Sequence, residues 1–410
     1  MRSDALALSL LTASAVRERA RLILEAGLAD RLEYFRVDLH RLEQASDFTV
    51  AITREAYPSL EIPFHSRWRH FAIDGEDRWM PVVATARWPC VAARARAEFD
   101  LAIVSVLLDA GAGATWRYRD AATGRNIGRS EGLALASLAM FCGGLFSAKS
   151  SDRLRVDATK LAELTTAALG DGLQAGPDNP LLGIEGRVNL LRRLGGAALG
   201  APSIFARNDE PRPGGLFDHL ASLAPSGRIA AATVLTEVLR HLGSIWPGRT
   251  VLGGLPLGDC WRHPAIKTGD ATDQLMPLHK LSQWLTYSLI EPLERAGIAV
   301  TEIDGLTGLA EYRNGGLFID TGALALRDQA YGERRHEVGS TLVVEWRALT
   351  VALLDRLAGL VRQRLGRDGN LLPLPKILQG GTWAAGRAIA QRLRADGSPP
   401  LQVISDGTVF

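Results

Sequence analysis

The sequence predicts a mainly helical protein carrying a few short strands. Apolar residues recur at spacings of three and four over long stretches, the signature of helices with one buried face. Candidate strands are few and short, and they do not alternate with helices as the strands of a doubly wound sheet do.

Residues 6–26 keep the helical spacing and meet a stop at Gly27, which predicts one helix at an exposed edge. Residues 92–109 and 132–146 predict two more, the second so poor in charge that it should be buried. Further helices are expected over 228–242, 274–293, 345–365 and 382–394, and strands at 78–84, 298–303 and 402–404. Gly, Asp and Pro cluster in 170–183 and break the pattern again in 206–215, so both predict long surface loops of the kind that often carry function. Neither is long enough to divide the chain, and no internal repeat is visible. One compact domain over 1–410 is expected, with 1–150 as an N-terminal helical lobe and 151–410 as a second lobe within it.

Composition narrows the function classes. Of 410 residues, 47% are hydrophobic and 22% charged, the balance of a globular protein rather than a disordered one. Lys and Arg number 47 against 45 Asp and Glu, a net charge of +2. A chain this neutral lacks the field that draws proteins to nucleic acid or anionic membranes, so neither partner is expected. Only five of the basic residues are lysine, which leaves many planar guanidinium forks suited to carboxylates and phosphates. Cys90, Cys142 and Cys260 are far apart and odd in number, so no disulfide framework follows and a reducing compartment is the simplest home. The first 24 residues mix Asp4, Arg17, Glu18 and Arg19 into apolar positions, unlike a signal peptide. No run reaches the ~18 apolar residues that cross a bilayer. A cytoplasmic location is expected.

Several segments could carry chemistry. Gly128-Arg129-Ser130-Glu131-Gly132 fits the nucleophile elbow of serine hydrolases, but that turn needs a buried strand before it and 117–126 is polar. The context favours Ser130 as a helix cap and Gly132 as a point of close packing. Cys260 and His263 offer two metal ligands with no second pair nearby, so no metal is expected. Gly253, Gly254 and Gly258 form no nucleotide fingerprint, and no cofactor is expected. In 64–71 (FHSRWRHF), aromatics alternate with bases; Trp68 and His70 either line a site that stacks a planar group or anchor a loop.

The last third is richest. Glu345 shares a helical stripe with Ala348, Leu349, Ala352 and Leu353, and a buried lone carboxylate must be paired or must do work. Glu302, Asp304, Glu311, Tyr312 and Arg313 gather before Asn314-Gly315-Gly316, where the glycines mark a turn or a close approach. Lys280 shares a face with Gln283, Trp284 and Tyr287, and is read as a ligand contact or a snorkelling side chain.

These residues carry a resemblance. The chain resembles the uracil-catabolism family encoded by the fourth gene of the fungal uracil-degradation cluster, a domain of unknown function. The segments concerned are 64–71, 129–146 (RSEGLALASLAMFCGGLF), 258–264 (GDCWRHP), 279–292 (HKLSQWLTYSLIEP), 311–317 (EYRNGGL), 345–358 (EWRALTVALLDRLA) and 406–410 (DGTVF), spread over nearly the full length. The resemblance implies a place in a pyrimidine-degradation route that runs through ribosylated urea. From Lys280 onward, over about a third of the chain, the order of motifs is also similar to the queuosine-nucleotide N-glycosidases. Lys280 and Gln283 match that family's Lys-x-x-Gln, Leu306-Thr307 and Glu311-Tyr312-Arg313 its Leu-Thr and Asp-Tyr-Arg blocks, and Gly339-Ser340 with Glu345-Trp346-Arg347-Ala348 its Gly-Ser and Glu-Ile-Arg-Ala. Glu311 replaces an aspartate and Asn314-Gly315-Gly316 replaces Val-Pro-Gln, so the base pocket should differ.

The second resemblance implies a helical core like that of the helix-hairpin-helix DNA glycosylases, with 151–410 as the glycosylase-like lobe, and cleavage of an N-ribosyl bond. The substrate expected is ribosylurea or its phosphate, or a similar ribonucleotide-like small molecule. Glu311 is then the foremost catalytic carboxylate, with Asp304 and Glu345 as candidates for a second. Lys280, Arg313 and Arg347 would orient the acids or bind phosphate, and Tyr312, Trp68 and His70 would complete the site. The alternatives are an amide or ureide hydrolase of the same pathway using Ser130, and a non-catalytic pyrimidine-nucleotide-binding protein.

Overall fold

The computed structural model describes residues 3–113, 115–206, 210–246 and 250–404, and the 406–410 segment singled out above lies outside them. The architecture is mainly α, as the periodicity predicts. Its strands pair only two by two into small ribbons, with no larger sheet among the described residues. No helix among the described residues is long and apolar enough to cross a membrane.

Two buried helices form the frame. Lys280–Arg295 is covered on nearly every side, packing on Val91–Leu107 and on Ala231–Leu242. Thr341–Leu365 is buried through its first three turns between Ala13–Leu28 and Leu39–Ala56. Ser340 caps its start by accepting from Val343 N, and Gly366, at φ +62°, closes its end, the usual chemistry of helix termini. Arg129–Cys142 is buried along most of its length and lies against Val91–Leu107, as its low charge predicts.

The expected boundaries shift where caps and pairing intervene. The 6–26 helix is two helices, Ser3–Ser9 and Ala13–Leu28, because Thr12 caps the second by accepting from Ala15 N. Residues 228–242 open as a strand, Arg228–Ala230, parallel to Ala299–Thr301, before the helix Ala231–Leu242 begins. Residues 274–293 likewise open as the strand Leu275–Pro277, and His279, at φ +48°, turns the chain into the helix at Lys280. The expected strand 78–84 is instead the helix Met80–Thr85: Asp77 accepts from the backbone N–H groups of Trp79 and Met80, and Pro81 suits a first turn. Gln402–Ile404 is a strand as expected, running parallel to Arg335–Glu337.

Neither expected loop is wholly superficial. Residues 166–172 are helical, and Arg212 to Gly215 are buried, with a Cβ on Gly214 falling 2.2 Å from the Arg96 carbonyl oxygen. Gly315 and Gly316 mark close approaches rather than a turn. Both sit inside the helix Tyr312–Asp320, and a Cβ on Gly315 would lie 2.7 Å from the Trp346 ring.

Candidate active site

A cavity of about 460 Å³ opens where segments from both halves of the chain meet, a volume within the usual range for small-molecule sites. Lys280 and Trp284 come from the central helix, Glu311, Tyr312 and Arg313 from the start of the helix Tyr312–Asp320, and His65 and His70 from the aromatic segment. Asp109, Ser130 and Trp383 line it as well, together with Arg129 and Asp396.

Glu311 sits at this wall as the cap of its helix. One carboxylate oxygen accepts from Arg313 N at 2.8 Å and the other from Asn314 N at 2.6 Å. A carboxylate has about four acceptor positions, so two backbone N–H groups fix its plane and leave lone pairs for a ligand. Burial raises the pKa of Glu311, against the lowering from those N–H groups and from Lys280 and Arg313. Arg313 donates to the Gly397 carbonyl at 2.9 Å, which ties the 396–399 segment to the same wall, and its guanidinium lies 4.9 Å from the ring of Tyr312.

Lys280 is half-buried, and burial pushes its ammonium pKa down while the charges of Glu311 and Asp109 push it up. Its helix starts where it does because Asp259 accepts from Lys280 N at 3.0 Å. Arg347 holds that carboxylate with two parallel bonds of 2.9 and 2.8 Å and also donates to the Ala310 carbonyl at 3.3 Å, next to Glu311. One buried guanidinium therefore sets the positions of both Lys280 and Glu311. Gln283 and Tyr287, on the same helix, hold Thr307 by its N–H and its carbonyl and fix the approach to Leu309.

Asp109 lies two residues past the apolar helix Val91–Leu107 and faces the cavity with its side chain 8% exposed. Arg67, wholly buried behind it, lies 3.1 Å from its carboxylate and donates to the Ser130 carbonyl at 3.2 Å. The backbone around Asp109 is clamped by Arg187, which donates to the carbonyls of Leu108, Ala110 and Gly111 at 2.8–3.1 Å.

Trp284 is the centre of the aromatic wall. The rings of His70 and His65 lie 5.8 and 6.3 Å from it, and Trp383 lies 6.4 Å beyond His65. Burial, with Arg67 adding to it, lowers the pKa of His70 to about 3, so its imidazole is neutral. Trp284 Nε1 and His70 Nδ1 are buried with no hydrogen-bond partner among the described residues. Buried polar groups are rarely left unpaired, so these two atoms can serve a bound ligand.

Of the residues expected at the site, Glu311, Lys280, Tyr312, Arg313 and His70 are brought together, and four are placed elsewhere. Asp304 pairs with Arg362 of the helix Thr341–Leu365 at 2.6 Å and accepts from Leu374 N at 2.7 Å, away from the cavity. Glu345 is fully buried but works as an anchor, accepting from the backbone N–H groups of Tyr34 and Phe35 at 3.1 and 2.9 Å, with His263 at 3.2 Å. Arg347 acts through Asp259 and Ala310 as described. Trp68 is a core residue, its N–H given to the Ser288 carbonyl at 2.7 Å and its ring edge-on to Phe71. The 64–71 segment thus serves both of its expected roles, docking through Trp68 and lining the cavity through His65 and His70. The hydrolase elbow is absent: Asn126–Ile127 is a two-residue hairpin strand, Gly128 is the cap instead of Ser130, and Arg129, at φ +57°, takes the strained position. Gly132 packs as expected, since a Cβ there would fall 2.3 Å from the Ile127 carbonyl. Asp109 was invisible in the sequence as a site residue, marked only by the Ala-Gly-Ala-Gly that follows it.

Fold and site together define a mainly helical protein with a partly open, carboxylate-bearing cavity. The family described as "Protein of unknown function (DUF1688)" matches residues 9–410, and the chain belongs to it. It is 37% identical to "Protein urg3" of Schizosaccharomyces pombe over 98% of each chain, and 38% identical to "Uracil catabolism protein 4" of Lachancea kluyveri over 92% of each. The family resemblance drawn from the seven segments is borne out.

Proposed function

We propose that this protein acts in uracil catabolism as an N-ribohydrolase, cleaving ribosylurea or its phosphate to urea and ribose or ribose phosphate. The pathway follows from the name of the Lachancea kluyveri relative. The geometry of the site supports the reaction. The observation that carries it is Glu311, a buried carboxylate pinned by two backbone N–H groups on the wall of the cavity, with Lys280 and Asp109 beside it.

Breaking the bond between the sugar's first carbon and the ureido nitrogen leaves positive charge on the ring, and a fixed carboxylate stabilises it better than mobile water does. Glu311 suits that task because it needs no reorganisation. The second acid is Asp109 rather than Asp304 or Glu345. Asp109 takes a proton from the attacking water, Lys280 gives one to the departing ureido nitrogen, and the proton on Asp109 returns to Lys280 as the products leave, so one water is consumed for each bond broken. Water supplies the oxygen at the sugar's first carbon, and the ureido nitrogen departs as urea. Trp284, Trp383 and the neutral His70 give the ring and the planar ureido group an apolar wall that excludes bulk water.

Ser130 also lines the cavity, which keeps a ureide-hydrolase reading distinct and testable. Incubation with ribosylurea and its phosphate, with urea and reducing sugar assayed separately, should release both in equal amounts. Glu311→Gln should lower turnover on the order of 10²-fold or more with the fold retained, whereas Ser130→Ala should stay within tenfold of wild type. Ammonia release in place of urea, or a Glu311→Gln variant of near wild-type rate, would remove the proposal. Tight binding with no product would favour a binding protein.

A further inference from the structure

Outside the cavity, three side chains of metal-ligand type converge. His219 lies in the helix Leu216–Ser222, and Glu237 and His241 lie one turn apart on the helix Ala231–Leu242, so the latter two share a face. Both imidazole Nε2 atoms point at the same Glu237 oxygen, at 2.7 Å from His219 and 3.1 Å from His241. The two rings stand nearly perpendicular with centroids 5.0 Å apart. All the candidate ligand atoms lie within 4.8 Å of one another. The other Glu237 oxygen is held separately by Arg240 at 3.2 Å, which orients the carboxylate as outer partners orient metal ligands.

We propose that His219, Glu237 and His241 form a site for a divalent cation of the zinc class. Two imidazoles and a carboxylate are a favoured donor set for zinc, with bonds of about 2.0–2.2 Å. Tetrahedral bonds of that length put ligand atoms about 3.4 Å apart, so small side-chain adjustments from the observed spacing admit an ion. Glu237 is buried, while the side chains of both histidines are about one-fifth exposed, which gives the ion a path in from solvent. With three protein ligands the fourth position falls to water. The ion would clip together two helices separated by the 223–230 connection. The site shares no residue with the cavity, so it stands apart from the proposed activity.

The test uses the full chain stripped with chelator and dialysed. Titration with Zn²⁺ should reach one ion per chain and raise the melting temperature, and Co²⁺ should give the visible bands of a four-coordinate site. His241→Ala and Glu237→Gln should each weaken binding at least tenfold and abolish the Co²⁺ bands. If His241→Ala does not fold, His219→Asn takes its place. Wild-type protein that binds no stoichiometric Zn²⁺, or binding unchanged in both variants, would overturn the proposal.

Discussion

Asp259 is the residue through which Arg347 fixes the start of the lysine-bearing helix, and its replacement by Asn gives a quantitative test of that design. Asp259 is buried, accepts two bonds from Arg347 and one each from Trp261 and Lys280 N, and stands 4% exposed. Burial works to raise its pKa, but the charge and hydrogen bonds of Arg347 outweigh it and lower the carboxyl from 3.8 to about 2. That difference corresponds to about 2 kcal/mol of stability. The native carboxyl is the stronger acid, so the contribution is complete above pH 3.8 and disappears as pH falls through 2. Asn cannot ionise and removes the carboxylate that the buried Arg347 guanidinium holds, which costs about 3–5 kcal/mol at neutral pH. Urea unfolding of wild type and Asp259→Asn should therefore differ by several kcal/mol at pH 6. The gap should shrink by about 1 kcal/mol at pH 3, where the wild-type carboxyl has lost part of its advantage. A gap that is the same at both pH values would refute the assignment of the stability to this ion pair.

Packing and electrostatics give the other expected outcomes. Gly386→Ala would place a Cβ 2.1 Å from the Arg313 carbonyl oxygen, so urea midpoints should show a loss of about 1–3 kcal/mol. Gly196→Ala, in the open middle of the helix Ile184–Gly200, should instead gain up to about 1 kcal/mol. His70, held near pKa 3, should show no imidazole titration by NMR between pH 8 and 5. The unfolded chain gains the proton that native His70 refuses, so wild type should lose about 2 kcal/mol relative to His70→Gln between pH 7 and 5, and a ring titrating near 6.5 would contradict this.

Much of this architecture can be read from spacing alone. The long helices follow from apolar periodicity because burial of one face dominates their energy. Their ends do not, because Thr12 stops one helix by capping and Arg228–Ala230 becomes a strand only through a partner about seventy residues away. At the site, Glu311, Tyr312, Arg313 and Lys280 are legible as a cluster of charge in apolar surroundings. The same rule misplaces Asp304 and Glu345: a carboxylate that anchors backbone N–H groups has the same sequence signature as one that faces a ligand. Asp109 shows the reverse. It reads as the polar end of an apolar helix, and only the clamp from Arg187 and the proximity of Arg67 turn it toward the cavity. The His219, Glu237 and His241 group escapes notice because its third member comes from a different helix.

The claim on which the rest depends is that a ribosyl group binds with its first carbon against Glu311. A crystal of Glu311→Gln soaked with ribosylurea phosphate measures this directly. The expected result is the sugar inside the cavity, its first carbon within about 4 Å of the substituted side chain, and the ureido group toward Lys280. A sugar seated elsewhere on the protein, or turned so that its first carbon faces away from position 311, would contradict it.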